Sequence, residues 1–287
     1  DISIEIAEEE FQKTHFKVIN KKCFIRLIDD DFINYKISEF RSTYEHLTYD
    51  GLDDDGTIVK KSFINKYMVV NSNMRKYDDI DIYPNTDECP ENHYNLWKPF
   101  AVTTIENYEE DIEGLDLILS HIKILCNHQL EVYEYVLDWI THLFKMPEEK
   151  PGVFILLVSK QGAGKGQFCR LLSNMIGNKK FLETPSPERD VWGDFNSAMS
   201  DAYLVNIEEL DFLQVKGSEG RFKSIVTQPT IGVNKKGKDL FIISSYHRFI
   251  GSTNMINCPM KTSDDDRRNI IIKCSDELIG NTKYFTE

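Results

Sequence analysis

The sequence predicts an α/β chain: a domain on a sheet with a parallel core, preceded by a helical segment and a small α+β region. Three observations predict it. The apolar run VFILLV passes through a glycine-rich loop into the amphipathic stretch GQFCRLLSNMI, which is the order strand, loop, helix. Further short apolar runs follow at AYLVNI, TIGVN, LFIIS, RFIGSTN and NIIIK, as buried strands of an α/β sheet do. The chain has 287 residues, 41% apolar and 28% charged, which is ordinary globular material with enough length for a sizeable core.

Residues 1–112 are acidic and rich in Tyr and Phe, with short mixed segments such as KKCFIRLI and KKSFINKYMVV between turn-like YDGLDDDGT and YPNTDECPEN. They read as an α+β region that closes on an acidic linker, ENYEEDIEG. Residues 113–150 read as a helical, collar-like segment. There Val132, Tyr135, Val136, Trp139, Ile140 and Leu143 recur at three- and four-residue spacing on one helix that stops before Pro147. Residues 151–287 form the α/β domain. On its first helix Phe168, Leu171, Leu172 and Met175 share a face.

Composition excludes several classes. No apolar run approaches the roughly 20 residues that span a bilayer, so no membrane partner is expected. A formal net charge of -13 argues against a surface that coats nucleic acid generally, so any nucleic-acid site must be local. Six scattered cysteines without CxxC pairs fit reduced thiols, which makes the cell interior, the cytoplasm, the expected location. The chain opens on Asp1 without a basic start and an apolar stretch, as expected of a piece of a longer protein without a secretory signal. Cys89 and His93 form a CxxxH pair, and His121, Cys126 and His128 follow, but their irregular spacing does not make a zinc motif.

The chemistry is concentrated in VSKQGAGKGQF. In a phosphate-binding loop, glycines let backbone N–H groups turn toward phosphate, the following helix adds its positive end, and a lysine neutralises the β and γ oxygens. Gly162, Gly164 and Lys165 match GxxxxGK[ST], whereas Ser159 replaces the first glycine and Gly166 the final Ser/Thr. That last hydroxyl normally ligates magnesium. AYLVNIEELD then ends an apolar strand on Glu208 and Glu209, about forty residues later. One carboxylate can support Mg²⁺ while the next acts on water; by itself such a pair is also an ordinary solvated strand end.

VNKKGKDLF places Lys235, Lys236 and Lys238 around Gly237 between two strand-like runs, a hairpin with a basic tip. The tip could grip a nucleic-acid backbone or merely keep a hairpin soluble, and local sequence leaves both open. Lys223 is a further basic candidate. RFIGSTN ends on Asn254, whose amide could orient water or read a γ-phosphate, and DDDRRNIII presents Arg267 and Arg268 before a strand.

In order, SKQGAGKGQF, AYLVNIEELD, RFKSIVTQPTIGVNKKGKD, RFIGSTN and DDDRR resemble the successive motifs of a superfamily 3 helicase, closest to the primase-helicases of phages, plasmids and nucleocytoplasmic large DNA viruses. The resemblance spans about Ile122 to Lys273, and YNLWKPFA and LDWITHLF look like the region leading into that domain. It implies an AAA+-like P-loop ATPase that uses ATP and Mg²⁺, assembles as a homo-oligomeric ring, usually a hexamer, and translocates on single-stranded DNA. Gln161, Gly162, Ala163, Gly164, Lys165, Gly166 and Gln167 would then cradle the phosphates. Glu208 would support the metal, Glu209 would act on water and Asn254 would be the sensor. Lys235, Lys236 and Lys238 would line the pore, and Arg267 or Arg268 would enter the neighbour's site. A primase domain, common in that family, is not identifiable in these residues. Two rivals remain at this stage: a nucleotide-dependent DNA-binding ring or scaffold without unwinding, and a nucleoside monophosphate kinase, which also uses GxGKG but usually near the amino end.

Overall fold

The computed structural model describes residues 2–29, 31–194, 196–210, 218–234, 240–256 and 267–286. The chain divides into two compact units, Asp1–Leu96 and Trp97–Glu287. The division therefore falls ahead of the acidic 106–114 stretch, and the expected helical segment 113–150 lies in the same unit as 151–287.

The first unit opens with α1 (Ile2–Thr14), β1 (His15–Val18), β2 (Cys23–Ile28), β3 (Asp31–Tyr35) and α2 (Ile37–Thr43). The hairpin β4 (Thr48–Leu52) and β5 (Ile58–Ser62) comes next, then β6 (Lys76–Tyr77), β7 (Asp79–Asp81) and β8 (His93–Asn95). Its four-stranded sheet has the order β3-β2-β1-β6, antiparallel except for the β1–β6 pair. The aromatic content noted in the sequence forms its core, where Phe40 stacks on Phe24 at 4.3 Å and packs against Tyr35 and Tyr44. His93 is occupied by Tyr83, whose hydroxyl lies 2.6 Å from Nδ1.

The second unit begins with α3 (Ile112–Leu125) and α4 (Leu130–Lys145). The helix expected to stop before Pro147 is α4, and the segment holds α3 as well, separated from α4 where Asn127 and His128 take φ of 51° and 56° and end the first helix. Val136, Trp139 and Leu143 of the apolar stripe are buried, while Tyr135 is partly exposed. There follow β9 (Phe154–Val158), α5 (Lys165–Ile176), β10 (Phe181–Thr184), α6 (Pro187–Asp190), β11 (Leu204–Ile207) and α7 (Glu219–Thr227). Strands β12 (Thr230–Val233), β13 (Phe241–Ser244), β14 (Arg248–Thr253) and β15 (Asn269–Lys273) complete the unit.

Five of these strands form one sheet, ordered β10-β11-β14-β9-β15, and every pair in it is parallel. Both faces are covered, so all five residues of β9 and all six of β14 are buried. Each fully buried Leu, Ile or Phe contributes about 1.5–3 kcal/mol, which makes these two strands the anchor of the unit. On α5 the buried stripe is Phe168, Cys169, Leu172 and Ile176, which keeps Phe168 and Leu172 of the predicted face and replaces the other two, with Leu171 and Met175 half-buried. Strands β12 and β13 pair antiparallel as a separate hairpin, with Val233 opposite Phe241. Its tip, with Lys235, Lys236 and Lys238, lies outside the described residues.

Arg248 opens β14 and is 1% exposed. Its Nη2 donates to the carbonyls of Met146 and Glu149 at 2.9 Å and of His142 at 3.3 Å. The guanidinium so binds carbonyls at and just beyond the carboxyl end of α4, where a cation is favoured, and ties that end to the sheet. No described helix is long and apolar enough to cross a membrane.

Candidate functional site

Because the strands are parallel, their carboxyl ends converge on one edge, the edge where open α/β sheets place ligands. A cavity of about 480 Å³ opens there, lined by the whole loop from Gln161 to Gln167 together with Glu183, Asn206, Glu208, Glu209, Ser252 and Asn254. The sequence-predicted loop, acidic pair and strand-end amide thus meet in one place.

The loop is shaped by two glycines. Gly162 and Gly164 hold φ of 87° and 97°, conformations that side chains resist, and Gly164 caps the amino end of α5. Gly164 is also pressed from outside: a Cβ there would sit 2.5 Å from Cε1 of His121. His121 Nε2 lies 3.1 Å from the Gly164 carbonyl, which only accepts, so that nitrogen carries the proton and Nδ1 accepts from the Tyr284 hydroxyl at 3.1 Å. Burial lowers the His121 pKa, in keeping with this neutral ring. Sequence reading gave His121 no role, because its contact joins residues far apart in the chain.

Lys165 begins α5 and folds back over the loop. Its Nζ donates to Ser159 Oγ at 2.7 Å, to the carbonyls of Ser159 and Lys160 at 3.0 and 3.2 Å, and to Asn254 Oδ1 at 3.1 Å. Ser159, the departure from the first P-loop glycine, therefore positions the lysine. Burial lowers the Lys165 pKa, opposed by the nearby carboxylates of Asp276 and Glu209. A Cβ on Gly166 would meet nothing within 4 Å, so the missing hydroxyl leaves open space.

Glu208 and Glu209 follow β11 directly. The Glu208 amide donates to the Thr184 carbonyl at 2.9 Å and the Leu210 amide to Ser252 at 2.8 Å, pinning the backbone on both sides. Between these pins Glu209 takes a left-handed φ of 52°, a conformation that persists only where its surroundings over-determine it. Burial raises the Glu208 pKa, with repulsion from Glu183 and Glu209 adding to it. Glu183 and Asn206, paired across β10 and β11, were missed by sequence reading.

The cavity lining carries Lys165 and Arg170 against Glu183, Glu208 and Glu209. The glycine loop, helix start and lysine suit a phosphate. The three acids repel one, unless a divalent cation bridges them to it. Among the described residues no group of three or more His, Cys, Asp or Glu could hold a metal alone.

The structure does not bring every predicted residue here. Arg267 and Arg268 precede β15, and the Arg268 carbonyl accepts from Phe154 N–H at 2.7 Å, at the amino edge of the sheet. They stand about one strand length, roughly 15 Å, from the cavity edge. Lys223 lies on α7, whose Phe222 packs on Phe154 at that same amino edge.

A family model described as a family of unknown function (DUF5906) matches residues 157–268. The chain is 23% identical over 198 residues to the DNA primase-polymerase of Nitratiruptor phage NrS-1, covering 68% of this chain and 27% of that protein. Two solved structures of the NrS-1 C-terminal region, both apo, match 97% of this chain and 66% of theirs at 18% identity, with TM-scores of 0.67 and 0.68. The chain thus shares its mixed α/β fold with that region and spans about a quarter of the phage protein.

Proposed function

We infer that the second unit is the ATPase motor of a DNA-replication protein, an AAA+-like P-loop domain of the superfamily 3 helicase kind that works as a ring, hexameric by that resemblance, on single-stranded DNA. The observation that carries the reading is the meeting of Lys165, Asn254 and the Glu208–Glu209 pair in one cavity beside a glycine loop. The similarity to a phage primase-polymerase supports a replication role.

In this reading the amides of Gln161 to Gln167 and the Lys165 ammonium hold the β- and γ-phosphates of ATP. Exchange of its Asn254 and Ser159 partners for phosphate oxygens loads the site. Glu208 is the side chain that would support Mg²⁺, which when bound would neutralise phosphate charge. Glu209 orients water and takes its proton as the water oxygen bonds to the γ-phosphorus and the bond to the β–γ bridging oxygen breaks, releasing ADP and phosphate. Asn254, freed from Lys165, reads the γ-phosphate. Lys235, Lys236 and Lys238 of every copy face the strand in the pore, with Lys223 as a further contact. Arg267 or Arg268 serves the cavity of the neighbouring copy.

The test is ATP hydrolysis by the purified chain with and without single-stranded DNA, beside Lys165→Ala. Turnover that DNA stimulates and the variant lacks is expected. Gly166 favours one second reading, a nucleotide-dependent DNA-binding ring without productive turnover. Ring formation on ATP without hydrolysis would select it, and failure of the chain to bind ATP would remove both.

A further inference from the structure

Asn206 lies within β11, is 2% exposed, and contributes to the wall of the cavity beside Glu183 and Glu208. Its Nδ2 donates to Glu183 Oε2 at 2.7 Å. A carboxylate oxygen only accepts, so this contact fixes the orientation of the amide and leaves Oδ1 as its other end. That Oδ1 is buried and, among the described residues, has no hydrogen-bond partner. An orphaned buried acceptor is rare in folded chains and marks the place of a water or an ion.

Two neighbouring facts say which. Open space stands beside Gly166, where the usual hydroxyl would ligate a cation. The carboxylates of the cavity do not make a cage of their own, so a cation must complete its shell with phosphate oxygens and other donors.

We propose that Asn206 Oδ1, aligned by Glu183, helps hold the divalent cation that arrives with the nucleotide, in place of the hydroxyl that Gly166 lacks. This rests on the reading that the cavity takes a nucleoside triphosphate. An amide oxygen is a hard, neutral donor of the kind Mg²⁺ and Mn²⁺ accept. Neutrality matters here, because a fourth carboxylate would add repulsion to the three acids present. Asn206 replaces the missing donor without that charge. Glu183 is a positioning residue: it orients the amide as a carboxylate orients a ligating histidine.

Mn²⁺ serves as the probe, read by its electron paramagnetic resonance signal. It is titrated into the full chain with and without a non-hydrolysable ATP analogue, for wild type, Asn206→Leu and Glu183→Ala. Nucleotide affinity is measured separately in EDTA. The wild type should hold Mn²⁺ tightly only with the analogue. Asn206→Leu should weaken that Mn²⁺ about 10–100-fold with affinity in EDTA unchanged, and Glu183→Ala should weaken Mn²⁺ in the same direction while affinity in EDTA rises, since one of the three carboxylates that repel phosphate is gone. Mn²⁺ affinity within twofold of wild type in a folded Asn206→Leu would overturn the proposal. Should that variant not fold, Glu183→Ala decides alone, since its side chain is exposed and its loss leaves the core intact. Analogue binding with unaltered Mn²⁺ in the variants removes only this assignment. Absence of analogue binding by the wild type, in EDTA and in Mn²⁺ alike, removes the ATP reading and this one with it.

Discussion

Alanine at Gly164 should weaken the second unit by an amount the structure divides into two parts. The residue holds φ 97° and ψ 4°, and a left-handed position costs an L side chain about 1–2 kcal/mol. The new Cβ would also lie 2.5 Å from His121 Cε1 and 3.1 Å from Nε2. That ring cannot simply turn aside, because Gly164 O and Tyr284 Oη hold its two nitrogens and Tyr284 stacks on it at 5.8 Å. Overpacking of this kind costs about 1–3 kcal/mol. The sum is about 2–5 kcal/mol. His121→Ala removes the clash and leaves the backbone cost, so Gly164→Ala in that background should cost only about 1–2 kcal/mol. Urea unfolding read by tryptophan fluorescence isolates the effect, since Trp97, Trp139 and Trp192, all three tryptophans, fall in the second unit. A single variant within about 0.5 kcal/mol of wild type, or an equal cost in both backgrounds, would refute the reasoning.

Glu209→Gln should bind ATP with near wild-type affinity and lose at least about a hundredfold in turnover, since it keeps the shape and loses the base; equilibrium binding and phosphate release measured together check this. Replacing Lys235, Lys236 and Lys238 by Ala should abolish stimulation by single-stranded DNA and spare basal hydrolysis, and unchanged stimulation would remove the pore assignment. His247 is fully buried, with Nε2 donating to Met199 O at 2.8 Å and Nδ1 2.9 Å from Ser245 Oγ, and burial lowers its pKa to about 4. The unfolded state then binds more protons between pH 6.5 and 4, so stability is present above that window and lost as pH falls through it. The loss at pH 5 is about 2 kcal/mol, and His247→Gln should flatten this slope of the second unit's urea midpoint against pH.

What the sequence disclosed was local. Strand β9, its loop and α5 are consecutive, so periodicity and glycine spacing expose them without knowledge of the fold; Glu208, Glu209 and Asn254 were legible because each ends a strand. Glu183 and Asn206 were not, since they become neighbours only when β10 is laid against β11, a choice of strand order that leaves no mark in either segment. The break between α3 and α4 was hidden for a different reason. Apolar residues keep helical spacing through 115–145, and the turn rests on two left-handed residues, Asn127 and His128, that hydrophobic period does not sense. The burial of Arg248 leaves no mark in its own segment, because the carbonyls it binds lie at and just beyond the end of α4, some hundred residues earlier.

The separation of Arg267 and Arg268 from the cavity edge has a kinetic meaning. A catalyst whose parts all lie within one chain turns over at a rate proportional to its concentration, and its activity per molecule is flat on dilution. In the proposed ring, Arg267 or Arg268, standing at the opposite edge of the sheet, would complete a neighbour's cavity rather than its own. Activity that depends on them rises more steeply than the first power of protein concentration until association is complete. A dilution series would therefore register the shared site as a falling specific activity, at a concentration set by the strength of the contact between copies.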